Sequence, residues 1–358
     1  MKRVVPPRYL RVRTPKPRVV GTGLVALDLV MEGSTDKIAR MQAGGSCANV
    51  LTILSYLGWQ SYPVARMNGD AAARFVRSDL QRWGVRLALG ELGEGVETPV
   101  VIQRTETNHH GSVAHRFSLR CPSCGAWLPG YRGITIESAD AACRKVTSAS
   151  VFYLDRASPG AIRLAAAYRR RGAVVVFEPS GFGNARLFAD ALSVTDILKY
   201  SSERLRATDL RGLPSDGVLL QVETRGPEGL RYLSRLGGTP RWRSVSALEA
   251  PRFADAAGAG DWCTAGILHY LAQAGQRGFR RSRDERVQRA LRMGQALASW
   301  NCGYVGARGG MYEASQDAFV KAIEAILAQQ GDLPSPDGGV RPQRANVVTN
   351  VKRFCSRC

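Results

Sequence analysis

The chain of 358 residues has no long hydrophobic run. Its apolar stretches, such as residues 173–177, fall far short of the roughly 20 residues that a bilayer-spanning helix needs. The basic N-terminus is not followed by the apolar core of a secretion signal. These absences predict a soluble, cytoplasmic protein with no membrane partner. Acidic residues are scarce, 30 against 50 basic ones, which leaves a formal charge of +20. Such an excess attracts polyanions. No basic platform interleaved with aromatics is present, however, and much of the charge sits early, at Lys2, Arg3, Arg8, Arg11, Arg13, Lys16 and Arg18. A solvated basic tail over residues 1–18 is therefore favoured over a nucleic-acid partner reached through the basic ends. The chain also has no internal repeat of fixed period, which excludes solenoids and propellers.

What is present alternates between two patterns. Residues 19–30 are β-prone and nearly all apolar, as a strand buried on both faces would be. Shorter runs of the same kind fall at 151–154, 173–177 and 218–222. Val50, Ile53, Leu54 and Leu57 recur at helical spacing up to Gly58, and Asp70 is placed to cap a helix bearing Val76, Leu80 and Trp83. Further helices are expected at 160–171, 261–274, 286–302 and 314–329. Strands alternating with helices predict an α/β domain with a mainly parallel sheet. Residues 96–120 depart from this pattern. Two β-prone segments, 98–103 and 113–119, flank a polar turn and predict a hairpin placed to cover a site as a lid. Residues 331–358, rich in Pro, Gly and polar groups, read as an irregular tail.

The densest chemistry lies in Asp255-Ala256-Ala257-Gly258-Ala259-Gly260-Asp261, just ahead of an apolar helix. Amides gathered at a helix start attract anions through unpaired donors and the helix dipole. Gly258 and Gly260 let the backbone approach a phosphate with no Cβ in the way. Asp261 is placed to accept the proton of a hydroxyl as it attacks a phosphoryl group.

Together with Gly44-Gly45-Ser46-Cys47-Ala48-Asn49, this heptad resembles the ribokinase-like (PfkB) carbohydrate kinase family, which carries Gly-Gly-x-x-x-Asn early and Asp-x-x-Gly-Ala-Gly-Asp late. Shorter matches follow in the family's order over residues 19–330: Asp28, Asn68-Gly69-Asp70, Lys199-Tyr200-Ser201-Ser202-Glu203, Thr224-Arg225-Gly226-Pro227-Glu228-Gly229 and Gly306-Ala307-Arg308-Gly309. The resemblance implies a doubly wound, mainly parallel sheet flanked by helices over residues 19–330, with a small β lid from about 30–43 and 96–133. It implies ATP-dependent phosphorylation of an alcohol on a sugar, or on a nucleoside as runner-up. Asp261 would be the base, and the amides of Ala257, Gly258, Ala259 and Gly260 the anion hole. Asp28, Gly44, Gly45 and Asn49 would contact the acceptor. Glu203 would organise magnesium through water. Thr224, Arg225, Gly226 and Gly229 would line the ATP site, with Gly306 and Ala307 near its base or ribose. Asp255 matches a ligand of a monovalent cation, and family members often form homodimers through the lid sheet.

Two positions depart from the family pattern: Ala256 replaces a common Thr, and Tyr200 stands where Asn is often found. Plainer roles compete with some of these assignments. Asp28 could cap a strand end, and Glu203 could be a surface helix acid. For Arg225, facing solvent and neutralising phosphate are equally supported by the sequence. The alternative from another class is a non-catalytic kinase-fold adaptor that binds nucleic acid or protein.

The eight cysteines divide into two groups. Cys47, Cys143, Cys263 and Cys302 lie singly in apolar or helical contexts and are expected as small buried hydrophobes. Cys121-Pro122-Ser123-Cys124-Gly125 has the form of one zinc knuckle, and Cys355 with Cys358 offers a second. Four thiolates would complete a structural zinc site that pins the tail beside the lid. His109, His110 and His115 are alternative ligands, and free thiols or a disulfide are the competing states.

Overall fold

The computed structural model describes residues 7–31, 38–67, 69–89, 96–107, 113–206, 208–213, 215–328 and 351–358. The main sheet contains β1 (Arg18–Thr22), β4 (Gln60–Val64), β7 (Val151–Leu154), β8 (Val174–Phe177), β9 (Ile197–Ser201), β10 (Leu220–Thr224), β11 (Leu230–Ser234) and β12 (Trp242–Val245). Their spatial order is β12-β11-β10-β9-β8-β7-β1-β4. All neighbours from β10 to β4 are parallel, and β11 and β12 add an antiparallel edge.

The apolar runs explain this layering. Successive side chains of a strand point to opposite faces, so an unbroken apolar run suits a sheet covered on both sides. Val19, Val151, Tyr153, Val174 and Val176 pack into one core with helices α1 (Ser46–Tyr56), α6 (Ala259–Leu271), α8 (Asp284–Asn301) and α10 (Gln316–Ala328). Val20, Phe152, Leu154, Val175 and Phe177 pack into the other, with α3 (Ile136–Lys145), α4 (Pro159–Arg170) and α5 (Ala185–Ser193). Burying each such side chain stabilises by roughly 1.5–3 kcal/mol. Helix starts are fixed by short polar side chains. The Ala73 amide donates to Asp70 Oδ1 at 2.6 Å ahead of α2 (Ala71–Arg82), and the Leu187 amide donates to Asn184 Oδ1 at 3.0 Å ahead of α5.

The predicted strand over 19–30 is two strands in two sheets. β1 ends at Thr22, the chain turns at Gly23, and β2 (Ala26–Met31) enters a second, four-stranded sheet. That sheet has the order β3-β2-β5-β6, with β3 (Ile38–Gly44), β5 (Val100–Thr107) and β6 (Val113–Ser118). The predicted hairpin is the antiparallel β5–β6 pair. Its tip, with His109 and His110, lies outside the described residues, as do Asn68 and positions 32–37 of the expected lid.

Within the expected solvated tail, Arg11, Arg13 and Lys16 are exposed, but the segment is also anchored to the body. Leu10 is buried, the Arg13 amide donates to Gln273 Oε1 at 2.8 Å, and Gln273 Nε2 returns a bond to the Arg11 carbonyl at 3.0 Å. Among the described residues no helix is long and apolar enough to cross a membrane.

Candidate active site

In the main sheet β1 lies between β4 and β7, so successive connections leave it in opposite directions. Ligands of open α/β sheets bind in the crevice outside the carboxyl ends of the strands at such a reversal. Here that rim carries Gly23 after β1, Asp155 after β7, Glu178 after β8, Ser201 to Glu203 at β9 and Thr224-Arg225 at β10. Gly23 has φ +144°, and a Cβ there would lie 1.5 Å from Asp155 Oδ1. Asp155 Oδ1 accepts the Leu24 amide at 2.9 Å. Burial pushes the Asp155 carboxyl up to about 6 against the pull of Arg156.

Helix α6 begins at this crevice. Gly258 caps it with φ +73°, and a Cβ there would lie 2.2 Å from the Ala307 carbonyl oxygen. Of the four expected anion-hole amides, Ala257 donates to Asp255 Oδ1 at 2.6 Å and Ala259 donates to the Ala256 carbonyl at 3.1 Å. Among the described residues the Gly258 and Gly260 amides have no partner, so the open donors are fewer than expected. The cause is the tight turn into the helix, which satisfies Ala259 internally.

Asp261 is buried in the first turn of α6, and its Oδ2 accepts from Asn49 Nδ2 at 2.8 Å. Burial pushes its carboxyl up to about 7 and the charge of Glu178 adds to this, while Asn49, Lys199 and Arg204 oppose it.

Asn49 reaches Asp261 from the first turn of α1, which is capped by Gly45. Asp28, on β2, is buried beside that cap and accepts the Gly45 amide. A Cβ on Gly44 would lie 1.9 Å from Asp28 Oδ2, and one on Gly45 would lie 2.3 Å from the Leu24 carbonyl. Both glycines are therefore required by close approach. Burial pushes Asp28 up to about 7, opposed by Arg308. Arg308 is wholly buried and pairs with Asp79 at 2.9 Å and with the Ala43 carbonyl. Asp79 in turn accepts the Ala43 amide and the Tyr312 hydroxyl. Asp28, Gly44, Gly45, Asn49 and Asp261 are thus joined through the end of β3 and the starts of α1 and α6.

The remaining predicted residues lie further along the rim. Ser202, Glu203, Glu223, Arg225, Pro227 and Glu228 line an open cleft of about 590 Å³. Glu203 is exposed, and among the described residues its carboxylate has no partner. Thr224 Oγ1 donates to the Tyr200 carbonyl at 3.3 Å. Arg225 Nε pairs with Glu223 Oε1 at 2.9 Å. Gly226 and Gly229 bound a short 3₁₀ turn with φ of +57° and +91°. Gly306 and Ala307 are knitted to the α6 turn: the Gly306 amide donates to Asp255 Oδ2 at 2.7 Å, and the Ala307 carbonyl accepts Trp262 Nε1 at 3.0 Å. Asp255 is buried with both oxygens holding backbone amides.

Sequence reasoning missed Glu178 and gave Lys199 no role. They form a buried ion pair of 2.5 Å, and Thr264 and Tyr153 hydroxyls also donate to Glu178. A Cβ on Gly260 would lie 3.7 Å from Lys199 Nζ, so the pair underlies the start of α6. The available signal was position: Glu178 directly follows the apolar run that forms β8. Asp155, at the end of β7, carried the same signal. Cys121, Cys124, Cys355 and Cys358 come together, with all four sulfurs within 4.8 Å of one another.

No family model matches the chain. Solved structures match it at the level of fold. A fructokinase with bound ATP from Xylella fastidiosa superposes with a TM-score of 0.66 at 17% identity, covering 88% of this chain and 99% of that one. An aminoimidazole riboside kinase from Salmonella enterica, complexed with aminoimidazole riboside and an ATP analog, gives 0.63 at 19% identity over 87% and 99%. An Arabidopsis thaliana ribokinase complexed with ribose and ATP gives 0.60 at 19% identity over 87% and 99%. A parallel main sheet with a reversal at β1, a second sheet of four strands and these likenesses lead to one conclusion: the chain has the ribokinase-like PfkB carbohydrate kinase fold.

Proposed function

We propose that the protein is an ATP-dependent kinase that phosphorylates a hydroxyl of a sugar or sugar-like acceptor. The observation that carries this reading is the buried Asp261, raised to about 7 and held by Asn49, one turn from the open amides of Gly258 and Gly260. A carboxylate with that affinity takes up a proton near neutral pH, and the amides face the place where negative charge would develop. The fructokinase and the ribokinase of this fold, whose structures contain ATP, support the same assignment.

In the proposed reaction, Asp261 takes the proton of the acceptor hydroxyl as its oxygen bonds to the γ-phosphorus of ATP. The bond from that phosphorus to the bridging oxygen breaks, and ADP leaves with the electron pair. Gly258 and Gly260 donate to the transferred phosphoryl oxygens, with the Ala259 peptide between them fixing their spacing. Asp28 and Asn49 hold acceptor hydroxyls, and Gly44 and Gly45 let the acceptor lie against backbone. The cleft beside Glu203, Thr224, Arg225, Gly226 and Gly229 takes the nucleotide, with Gly306 and Ala307 near its base or ribose. Glu203, exposed at its mouth, fits a magnesium ion held through water, which would neutralise phosphate charge. Asp255 is the candidate ligand for a monovalent cation beside the α6 turn. The second sheet, from β2 and β3 to β5 and β6, acts as the lid.

A nucleoside acceptor is the second reading, supported by the likeness to the aminoimidazole riboside kinase. A coupled assay of ADP release over a panel of sugars, sugar phosphates and nucleosides tests both readings. A sugar substrate is expected. Turnover with nucleosides alone would replace the first reading by the second, and no turnover with any acceptor would overturn both in favour of an adaptor.

A further inference from the structure

We propose that Cys121, Cys124, Cys355 and Cys358 hold a single structural zinc ion that clasps the C-terminal segment 351–358 to the foot of the second sheet. Cys121 Sγ lies 3.6 Å from Cys358 Sγ, Cys124 Sγ 3.6 Å from Cys355 Sγ, and Cys358 Sγ 3.0 Å from Cys124 Sγ. A disulfide requires about 2.05 Å, and no pair is that close. Four sulfurs at about 2.3 Å from one ion would be separated by about 3.8 Å, and the observed cluster is nearly that size.

Each half is shaped for the task. The Gly125 amide donates to the Cys121 carbonyl at 2.8 Å, and Gly125 takes φ +70° with nothing near its Cβ position. That turn aims two thiols the same way. The other pair follows a 3₁₀ turn at Val351–Phe354, where the Cys355 amide donates to the Lys352 carbonyl at 3.1 Å. Each half contributes one buried thiol, Cys121 or Cys355, and one exposed thiol, Cys124 or Cys358.

The segment 351–358 buries only Val351 and Phe354 besides Cys355. The entropy lost in ordering eight residues exceeds what two apolar side chains return, so a cross-link is needed to hold it. A soft donor set of four thiolates suits zinc, excludes hard ions such as magnesium and calcium, and leaves no open position for catalysis. Zinc with four thiolates carries two net negative charges. Lys352, Arg353 and Arg357 flank the second pair in the sequence, and Arg120 donates to the Gly125 carbonyl at 3.1 Å beside the first.

The clasp has a structural reach. The Leu128 amide donates to the Leu119 carbonyl and the Val100 amide donates to the Pro129 carbonyl, which ties the knuckle loop to the start of β5. β5 pairs with β2, where Val101 lies opposite Asp28.

Metal analysis of full-length protein purified without chelator tests the proposal, and it is read without ATP turnover, so it stands or falls apart from the kinase assignment. One equivalent of zinc per chain is expected. The double variant Cys124→Ser, Cys358→Ser, confined to the two exposed thiols, should lose it and should expose the C-terminal segment to limited proteolysis. Cobalt alone, added to zinc-stripped protein, should give the absorption of a tetrahedral thiolate site. Less than half an equivalent of zinc, stoichiometric iron, two disulfides by mass spectrometry, or full zinc retention in the double variant would each overturn it.

Discussion

Burial raises Asp261 to about 7 with help from Glu178, while Asn49, Lys199 and Arg204 hold it down, and this balance sets how activity should follow pH. In the proposed reaction Asp261 must be ionised to accept a proton. Because its affinity for protons is raised, the carboxyl is protonated below about 7, so kcat should rise with pH through that value. The Glu178→Gln variant removes a like charge and leaves Lys199 less neutralised, and both effects lower the affinity of Asp261 for protons. The acid limb of its pH–kcat profile should therefore move to lower pH. A limb that stayed in place or moved up would separate Glu178 from Asp261. At this scale the sequence was informative where residues sit in one local motif. Asp261, Gly258, Gly45 and Asn49 are read from short segments whose spacing survives folding. Glu178, Lys199 and Asp155 act through contacts between strands far apart in sequence, which no local pattern encodes.

The start of α6 depends on one backbone conformation. Gly258 at φ +73° faces the Ala307 carbonyl, so Gly258→Ala adds backbone strain and a collision with backbone that cannot move aside. A loss of roughly 1–3 kcal/mol of stability is expected for the strained residue, together with a fall in kcat as the Gly258 amide is displaced. Denaturant unfolding and steady-state kinetics on the same preparation check both, and unchanged values would show that the turn tolerates a side chain. The element scale also explains two misreadings. The run over 19–30 looked continuous because β1 and β2 are each buried in their own sheet, and only Gly23 marks the break. β4 escaped notice because Gln60-Ser61-Tyr62-Pro63-Val64 contains a proline, which is admissible because β4 lies at the sheet edge.

Across the whole molecule, the second sheet is joined to the C-terminal helices by the buried pair of Arg308 and Asp79. Asp79 belongs to α2, its partner Ala43 to β3, and Arg308 precedes α9 (Gly309–Glu313). Arg308→Met leaves Asp79 buried with its charge unpaired, which typically costs about 3–5 kcal/mol. Chemical denaturation should show that loss, and a change below about 1 kcal/mol would mean that water or a rearranged neighbour replaces the guanidinium. The α/β layering at this scale was legible, since apolar runs at 151–154 and 173–177 became β7 and β8 almost residue for residue. The meeting of Cys121 and Cys124 with Cys355 and Cys358 was legible only as two separate pairs, because more than two hundred residues separate them.

The central claim, that Asp261 is the base of a phosphoryl transfer, is tested most directly by the kcat of Asp261→Asn for ATP-dependent phosphorylation of the acceptor that the panel identifies. The amide keeps the size of the side chain and its place beside Asn49, and an unchanged circular dichroism spectrum would verify the fold. Loss of a general base predicts a fall of roughly a hundred- to ten-thousand-fold. A kcat near that of the unaltered protein would contradict the account.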